Sequence, residues 1–562
     1  MGGIFLFGGV ALLTFAAPFE LTEPLVRLPR QSITSLEAAI MVAFAAWGIA
    51  IAASRRLPQW RTPLTLPWVA LLAAMLLASV ASPVSRLNAL HMTGRLTAAL
   101  GIYLLAVNSL TSQARLAAAL RLAVGVGVVV GALAILEYLG LQPVVGALRA
   151  FRPGVATVGA QVRAGGPLQY PTIASMYLEI MFAFGLGLLL AEYDEARRGR
   201  AVKVAAWFAA LVVIGEAITL TFTRAGLLTM ATSLVLVSGI RISRRGVERG
   251  SMLIGALTVV IAALFVSSRS AESMWLRFTT EGQESWYRAG IDAPPQFEMA
   301  SGRVQRIALA LTNAGRLPWD STAEPPIVVS YHWLPREGDG FVAFEGERTR
   351  FPSRVEPGDT ATVEVTVRAP ESPGEYRLEW DLVQEGRLWF STEPGAERTT
   401  SRVTIVGDGE GGEAPALTPP PRPTVRPGRF TLWRAALRML AAHPLLGVGP
   451  DNFRLAYGGY AGLRSFDTRT HSNNMYLEMF AGGGIVVGAA FLWLLWRAAR
   501  SFARLAGGAA ADRAAALGIV AAGLAIALHA AVDSFLSFAP IYVLFSLTLG
   551  YAVASARGLE AP

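Results

Sequence analysis

One histidine and three arginines are the residues whose types and settings point to chemistry. His471, in the stretch His471-Ser-Asn-Asn-Met-Tyr-Leu-Glu478, is a candidate general base. Imidazole titrates near neutrality, and its neutral form can take a proton from an acceptor hydroxyl. Ser472, Asn473 and Asn474 follow it and offer polar groups to orient the ring. Taken alone, a loop histidine is more often a solvent-facing residue. Arg224 stands in Thr221-Phe-Thr-Arg-Ala-Gly226, where four residues separate two apolar runs. A charge at that depth costs about 2–3 kcal/mol unless it is paired or functional. It either snorkels to anchor a helix end or clamps an anion, since a guanidinium fork matches phosphate oxygens bidentately. Arg163 opens a second polar cluster, Arg163-Ala-Gly-Gly-Pro-Leu-Gln-Tyr-Pro-Thr172. Arg429 opens a third, running through His443-Pro-Leu-Leu-Gly-Val-Gly449 to His471 and on to Gly482-Gly-Gly-Ile485. Two or three arginines can neutralise a departing diphosphate without a metal.

Other signatures are missing. The chain has no cysteine, no HExxH and no paired-acid DxD motif in a candidate outer loop, so no metal or cofactor is expected. Gly447-Val-Gly-Pro450 lacks the GK[ST] ending of a phosphate-binding loop. Asp533 lies in the apolar stretch Ala530-Ala-Val-Asp-Ser-Phe-Leu536. An acid there is either functional, with an arginine as its expected partner, or a buried helix-end residue. His332 and His529 read as structural, and His443, before proline, as a helix terminator.

The elements that must position these residues are membrane spans. The 562 residues are 53% hydrophobic, with a mean hydropathy of +0.45. Runs of about 20 apolar residues, the length that crosses a bilayer, recur near 3–18, 33–53, 64–82, 92–110, 117–139, 172–192, 204–222, 225–240, 252–267, 475–497, 514–534 and 538–556. The first run lacks a basic flank and reads as a retained span rather than a cleaved signal. With the N-terminus cytoplasmic, inner loops carry sixteen basic residues, from Arg55 to Arg513, against eight in the short outer loops. That is the direction of the positive-inside rule. Both termini are then cytoplasmic and 268–474 lies outside. The net charge of +9 follows from helix-end arginines and implies no nucleic acid. Within 300–406, alternating stretches such as ATVEVTVRAP and GEYRLEWDLV, bounded by turn signals such as EPGD and SPGE, predict an antiparallel β-sandwich. The following 407–428 is a Gly/Pro-rich linker. The stretch 431–442 has the period of an amphipathic helix too short to span, which belongs at the membrane surface or under the site.

Thr223-Arg-Ala-Gly226 resembles the T/S-R-G/A motif of the O-antigen ligase and polymerase superfamily. Arg429-Phe-Thr-Leu-Trp433, His443-Pro-Leu-Leu-Gly-Val-Gly449 and His471-Ser-Asn-Asn-Met-Tyr-Leu-Glu478 are similar, in order and spacing, to its C-terminal signature. Tyr331-His-Trp-Leu334 and its surroundings resemble an immunoglobulin-like accessory module found on bacterial glycosyltransferases. The resemblance implies a GT-C-like, metal-independent, inverting enzyme of the bacterial inner membrane. Its donor would be an undecaprenyl-diphosphate-linked glycan, and its acceptor a lipid A-core-like glycolipid, a glycan or a protein. Carried over, Arg224 and Arg429 hold the diphosphate with Arg163 beside them, and His471 deprotonates the acceptor. Asn473, Asn474, Tyr476 and Asp533 support. The family often has a second histidine where this chain has Asn473, and it usually lacks the β-insert.

The expected organisation is therefore an all-α polytopic membrane protein of about twelve helices with an inserted β-sandwich. Helices one to nine occupy 1–267, a connection 268–299, the sandwich 300–406, the linker 407–428, an amphipathic helix and catalytic loop 429–474, and the last three helices 475–562. The expected function is a polysaccharide ligase. The same donor chemistry also serves a polymerase or a protein O-glycosylation ligase. A transporter or flippase would need facing ionisable residues at mid-membrane and an internal repeat, and no repeat is visible. A plain membrane anchor for the insert leaves the outer arginines unexplained.

Overall fold

The computed structural model describes residues 2–28, 31–55, 57–152, 154, 156–158, 161–195, 201–267, 286–323, 325–385, 388–392, 396–407, 427–463, 466–507 and 513–557. It contains two compact units. One comprises Met1–Ala156, Val162–Ser270 and Val425–Pro562, the other Thr157–Gln161 and Ala271–Thr424.

The first unit is helical. Its helices are α1 (Gly2–Ala16), α2 (Ser35–Ser54), α3 (Thr65–Val80), α4 (Arg86–Ser109), α5 (Gln113–Tyr138), the short α6 (Gln142–Leu148), α7 (Pro171–Asp194), α8 (Ala201–Leu220), α9 (Arg224–Arg245), α10 (Arg249–Ser267), α11 (Arg429–Ala442), α12 (Phe453–Ala461), α13 (Met475–Ala506), α14 (Ala514–Ala530) and α15 (Ala539–Arg557). Among the described residues nine helices are long and apolar enough to cross a bilayer, and three shorter apolar helices accompany them at Phe7–Phe19, Thr65–Val80 and Ala514–Ala530. These are the expected spans, and the chain is a multi-pass membrane protein. Polar caps set where several helices begin. Thr34 and Glu37 form a reciprocal capping box on α2, and Ser85, Ser112 and Asn474 accept from the first turns of α4, α5 and α13. Helix α9 outruns the expected 225–240 by a turn. Buried Arg241 ties that turn to Asp194 and Glu248, so ion pairs continue the helix beyond the apolar run.

Contacts of Glu137 with Gly165, Arg163 with Thr221, Gly226 with Ser175, Asn474 with Ala531 and Tyr170 with Phe538 bring the ends of α5, α8 and α14 and the starts of α7, α9, α13 and α15 to one end of the bundle. Helix α7 is the hub, its apolar window wholly buried among α5, α8, α9 and α14. It meets α14 through glycine. A Cβ on Gly187 would lie 3.0 Å from Gly518 Cα, and one on Gly518 2.7 Å from Ala183 O. Small residues let the two backbones touch, as membrane helices do when dispersion rather than water drives association.

The second unit is built of strands β1 (Ala289–Asp292), β2 (Gln296–Ala300), β3 (Val304–Asn313), β4 (Ile327–Pro335), β5 (Thr360–Arg368), β6 (Gly374–Gln384), β7 (Leu388–Trp389) and β8 (Thr399–Val406). One sheet has β6 between β4 and β8, with β7 on β6 and β2 on β8; the other runs β1-β3-β5. Tyr331 and Trp333 of β4 bond to the backbone of Arg368 on β5 and so join the sheets. Two findings differ from expectation. The strands begin at Ala289 rather than 300, because β1 and β2 are short and broken by Pro294-Pro295. The β2–β8 pair is parallel, whereas the other strand pairs are antiparallel. Most of the expected linker lies outside the described residues.

Candidate active site at one end of the bundle

His471 sits between α12 and α13 with 11% of its side chain exposed. Its Nδ1 is 3.2 Å from Glu478 Oε1 and 3.9 Å from Asp451 Oδ1. Glu478, on the first turn of α13, also accepts from the Ser472 amide at 2.8 Å and from Ser534 Oγ at 3.3 Å. A carboxylate so engaged is an acceptor, which assigns the ring proton to Nδ1 and leaves the Nε2 lone pair to take a proton. No hydrogen bond from a described residue reaches Nε2. Burial works against a charged ring. The Glu478 hydrogen bond and the charges of Glu478 and Asp451 outweigh it, so the His471 pKa stands above its ordinary 6.5, although Arg454 pulls it down. Asp451 is itself pinned, accepting from Ser537 Oγ at 2.8 Å, Arg454 Nε at 3.0 Å and Asn88 Nδ2 at 3.2 Å. A small cavity of about 20 Å³, lined by Asp451, Glu478, Ser537 and methionines 75, 92 and 479, adjoins these groups and has room for roughly one water.

The glycine motifs before and after His471 build its support. Helix α13 breaks at Gly484, whose φ of 63° and ψ of −164° are not helical. The segment after His443 fills the break. The amides of Val448 and Gly449 donate to the carbonyls of Ala481 and Gly482, and the amides of Ile485 and Val486 donate to those of Pro444 and Leu445. Backbone groups freed by the break are thus paired within protein, as a membrane interior requires. Asn452 holds the segment to the α3–α4 turn through Ser82 Oγ and the Ser85 carbonyl, both at 2.9 Å. Beneath it, α11 buries Leu432, Ala435, Ala436 and Met439, one helical face, against α12 and α13.

The arginines share this end. Arg163 donates from Nε to the Thr221 carbonyl at 3.0 Å and from a terminal nitrogen to Thr223 Oγ1 at 3.3 Å. It braces the turn that presents Arg224, in which Phe222 has φ of 51°. Arg224 and Arg429 are exposed. Glu137, in a buried pair with Arg152, accepts from the amides of Gly165 and Gly166 and anchors the Arg163 loop. Gly226 packs on Ser175 and Glu179, so that a Cβ there would lie 2.0 Å from Ser175 Oγ. Glu179 in turn holds His529 Nδ1 at 3.0 Å. Phe538 stands between Tyr170, at 5.8 Å, and His471, at 6.0 Å between ring centroids.

Several residues differ from their expected settings. Asp533 has as its ion-pair partner among the described residues not an arginine but His529, 3.9 Å away. The acid is four residues on from a histidine at a helix end, and that spacing brings the two together. Asn474 caps α13 and bonds the Ala531 carbonyl, while Tyr476 bonds that of Ala527, so both fasten α13 to α14. Asn473 adopts φ of 51°, turning the chain out of the His471 loop. Glu478, Asp451, Glu179 and His529 went unread in the sequence as site residues. Only the Tyr-Leu-Glu ending after His471 carried a signal for any of them.

The fold and this end define a polytopic membrane protein with an oriented imidazole and an arginine-bearing turn at one end of its bundle. Residues 414–492 match the family model described as O-antigen ligase. The match takes in α11, α12, His471 and the start of α13 and supports glycan transfer of the ligase or polymerase type. Arg163, Arg224 and Asp533 lie outside it. Among curated proteins none matches the chain.

Proposed function

We propose that this protein is a glycosyltransferase that moves a glycan from undecaprenyl diphosphate to an acceptor hydroxyl at the outer face of a bacterial inner membrane. The observation that carries the reading is the Glu478–His471 pair inside the O-antigen ligase match, with Nδ1 held and Nε2 left to act. His471 Nε2 removes the acceptor proton as the hydroxyl oxygen attacks the anomeric carbon. The bond to the diphosphate oxygen breaks on the opposite side, and the configuration inverts. Arg224 and Arg429, with Arg163 bracing the turn, hold the departing diphosphate, whose charge grows as that bond lengthens. No metal enters this scheme. The sixteen-to-eight distribution of basic residues orients the site end outward and both termini inward.

Reconstitution with an undecaprenyl-diphosphate glycan and candidate acceptors tests the reading. Transfer by the parent protein that persists in chelator is expected, with loss in both Arg224→Ala and His471→Ala. Parent-like rates in both variants would remove the site assignment. Products confined to one transfer per acceptor mark a ligase, and lengthening of the glycan on its carrier marks a polymerase.

A further inference from the structure

The loop that carries His471 is held on both sides of the ring. After it, the Ser472 amide is fixed on Glu478 at 2.8 Å. Before it, α12 reaches across the loop. Tyr457 Oη donates to the Asp467 carbonyl and Arg454 Nη1 to the Thr468 carbonyl, each at 3.2 Å. Arg454 does more than Tyr457. Its Nε donates to Asp451 Oδ2 at 3.0 Å and its Nη2 to Asn88 Oδ1 at 2.6 Å. One guanidinium, 26% exposed, thereby joins the start of α4, the Asp451 turn and the loop three residues ahead of His471. Asn88 closes the network, its amide nitrogen lying 3.2 Å from Asp451 Oδ2 and 2.9 Å from Asn452 Oδ1.

Two carboxylates face His471 Nδ1. Glu478 Oε1, at 3.2 Å, is within hydrogen-bond reach, and Asp451 Oδ1, at 3.9 Å, is beyond it. The nitrogen holds one proton and gives it to one of them. Asp451 is 5% exposed and already paired with Arg454. The other charged side chains of the loop, Asp467 and Arg469, bond to each other. We propose that Arg454 is a positioning residue for the base: by engaging Asp451 and the Thr468 carbonyl it keeps Nδ1 on Glu478 and Nε2 toward the acceptor. The proposal rests on His471 being the base of the transfer above. Without Arg454, Asp451 is a buried carboxylate whose next cation is the ring. It then draws the ring away from Glu478 and holds its proton more tightly.

The test titrates the base without substrate. In the full chain in detergent, diethyl pyrocarbonate acylates His471 in its neutral form, and mass spectrometry of the His471 peptide follows the rate against pH. Arg454→Gln is expected to move the midpoint up by about one pH unit. Arg454→Gln combined with Asp451→Asn is expected to return to within about 0.3 unit of the parent, because both members of the pair are then neutral. Arg454→Lys keeps the charge and loses the fork. It is expected to leave the midpoint in place and to lower the high-pH plateau of kcat/KM about 3- to 10-fold. Mere loss of packing at Arg454 does not produce a shift that Asp451→Asn reverses. Should Arg454→Gln not assemble, Asp451→Asn alone is expected to move the midpoint down, and an unmoved midpoint there overturns the proposal. An Arg454→Gln midpoint equal to the parent's, or one that Asp451→Asn does not bring back, overturns it too. A parent protein that moves no glycan while the midpoints shift as expected overturns the transfer reading instead.

Discussion

The basicity of His471 is set by its neighbours. Glu478 fixes the tautomer and, with Asp451, raises the pKa above 6.5 against the effect of burial. In the proposed scheme the base form therefore appears only as pH climbs past that raised value. The acid limb of kcat/KM is expected above pH 6.5 and is expected to move to lower pH in Glu478→Gln, where the compensating charge is gone. A limb in the same place in both proteins would exclude the pair from catalysis. The same shift acts on stability. A histidine whose folded pKa is raised contributes fully below its unfolded value, and the contribution is lost as pH rises through the folded one. At Arg224 the prediction concerns the leaving group. Arg224→Ala and Arg429→Ala should each lower kcat by about 10²–10³, the usual loss for one preorganised group facing developing charge, and lysine should restore it only in part. His471 and Arg224 are legible in sequence because their local settings are unusual. Glu179 and His529 lie 350 positions apart, and no local pattern links them.

At the scale of elements, the glycine motifs are structural. Gly484 adopts a backbone conformation that side chains rarely take, and a Cβ there would stand 2.3 Å from the Leu445 backbone. Gly484→Ala should cost at least about 2 kcal/mol, read as a lower thermal midpoint in detergent. The loss should extend to the site, because the same hydrogen bonds fix the segment leading to Asp451. Gly226→Ala has a softer clash, with the Ser175 hydroxyl alone at 2.0 Å. It should impair transfer, and Ser175→Ala in the same chain should recover much of it; no recovery would place the clash elsewhere. The sequence showed Gly447-Val-Gly to be no phosphate-binding loop. That it completes a broken helix became visible only once the chain had folded back on α13. Left-handed backbone marks the same region. Of the four non-glycine residues with positive φ among those described, Phe222, Asp451 and Asn473 belong to this end.

Two compact units make up the molecule, and each has a core of its own. The β-unit buries Trp319, Tyr331, Trp333 and Trp380, aromatic mass enough for independent folding. Residues 286–407 expressed alone should unfold in one cooperative transition followed by tryptophan fluorescence; a gradual change would show that the strands need the rest of the chain. Orientation is testable because the chain has no cysteine. A membrane-impermeant maleimide should label Glu337→Cys in spheroplasts and leave Leu57→Cys unlabelled until the membrane is opened. The reverse pattern would invert the proposed topology.

Span length, apolar periodicity and the placement of arginine are local properties, and the amino-acid order alone determined the twelve apolar segments and most of the strands. Which charge faces which depends on helices meeting across hundreds of residues. The Gly187–Gly518 crossing, the loop stitched into α13 and the exchange of Asp533's expected arginine for His529 were decided by packing, because a buried charge takes the partner that the folded backbone brings within reach.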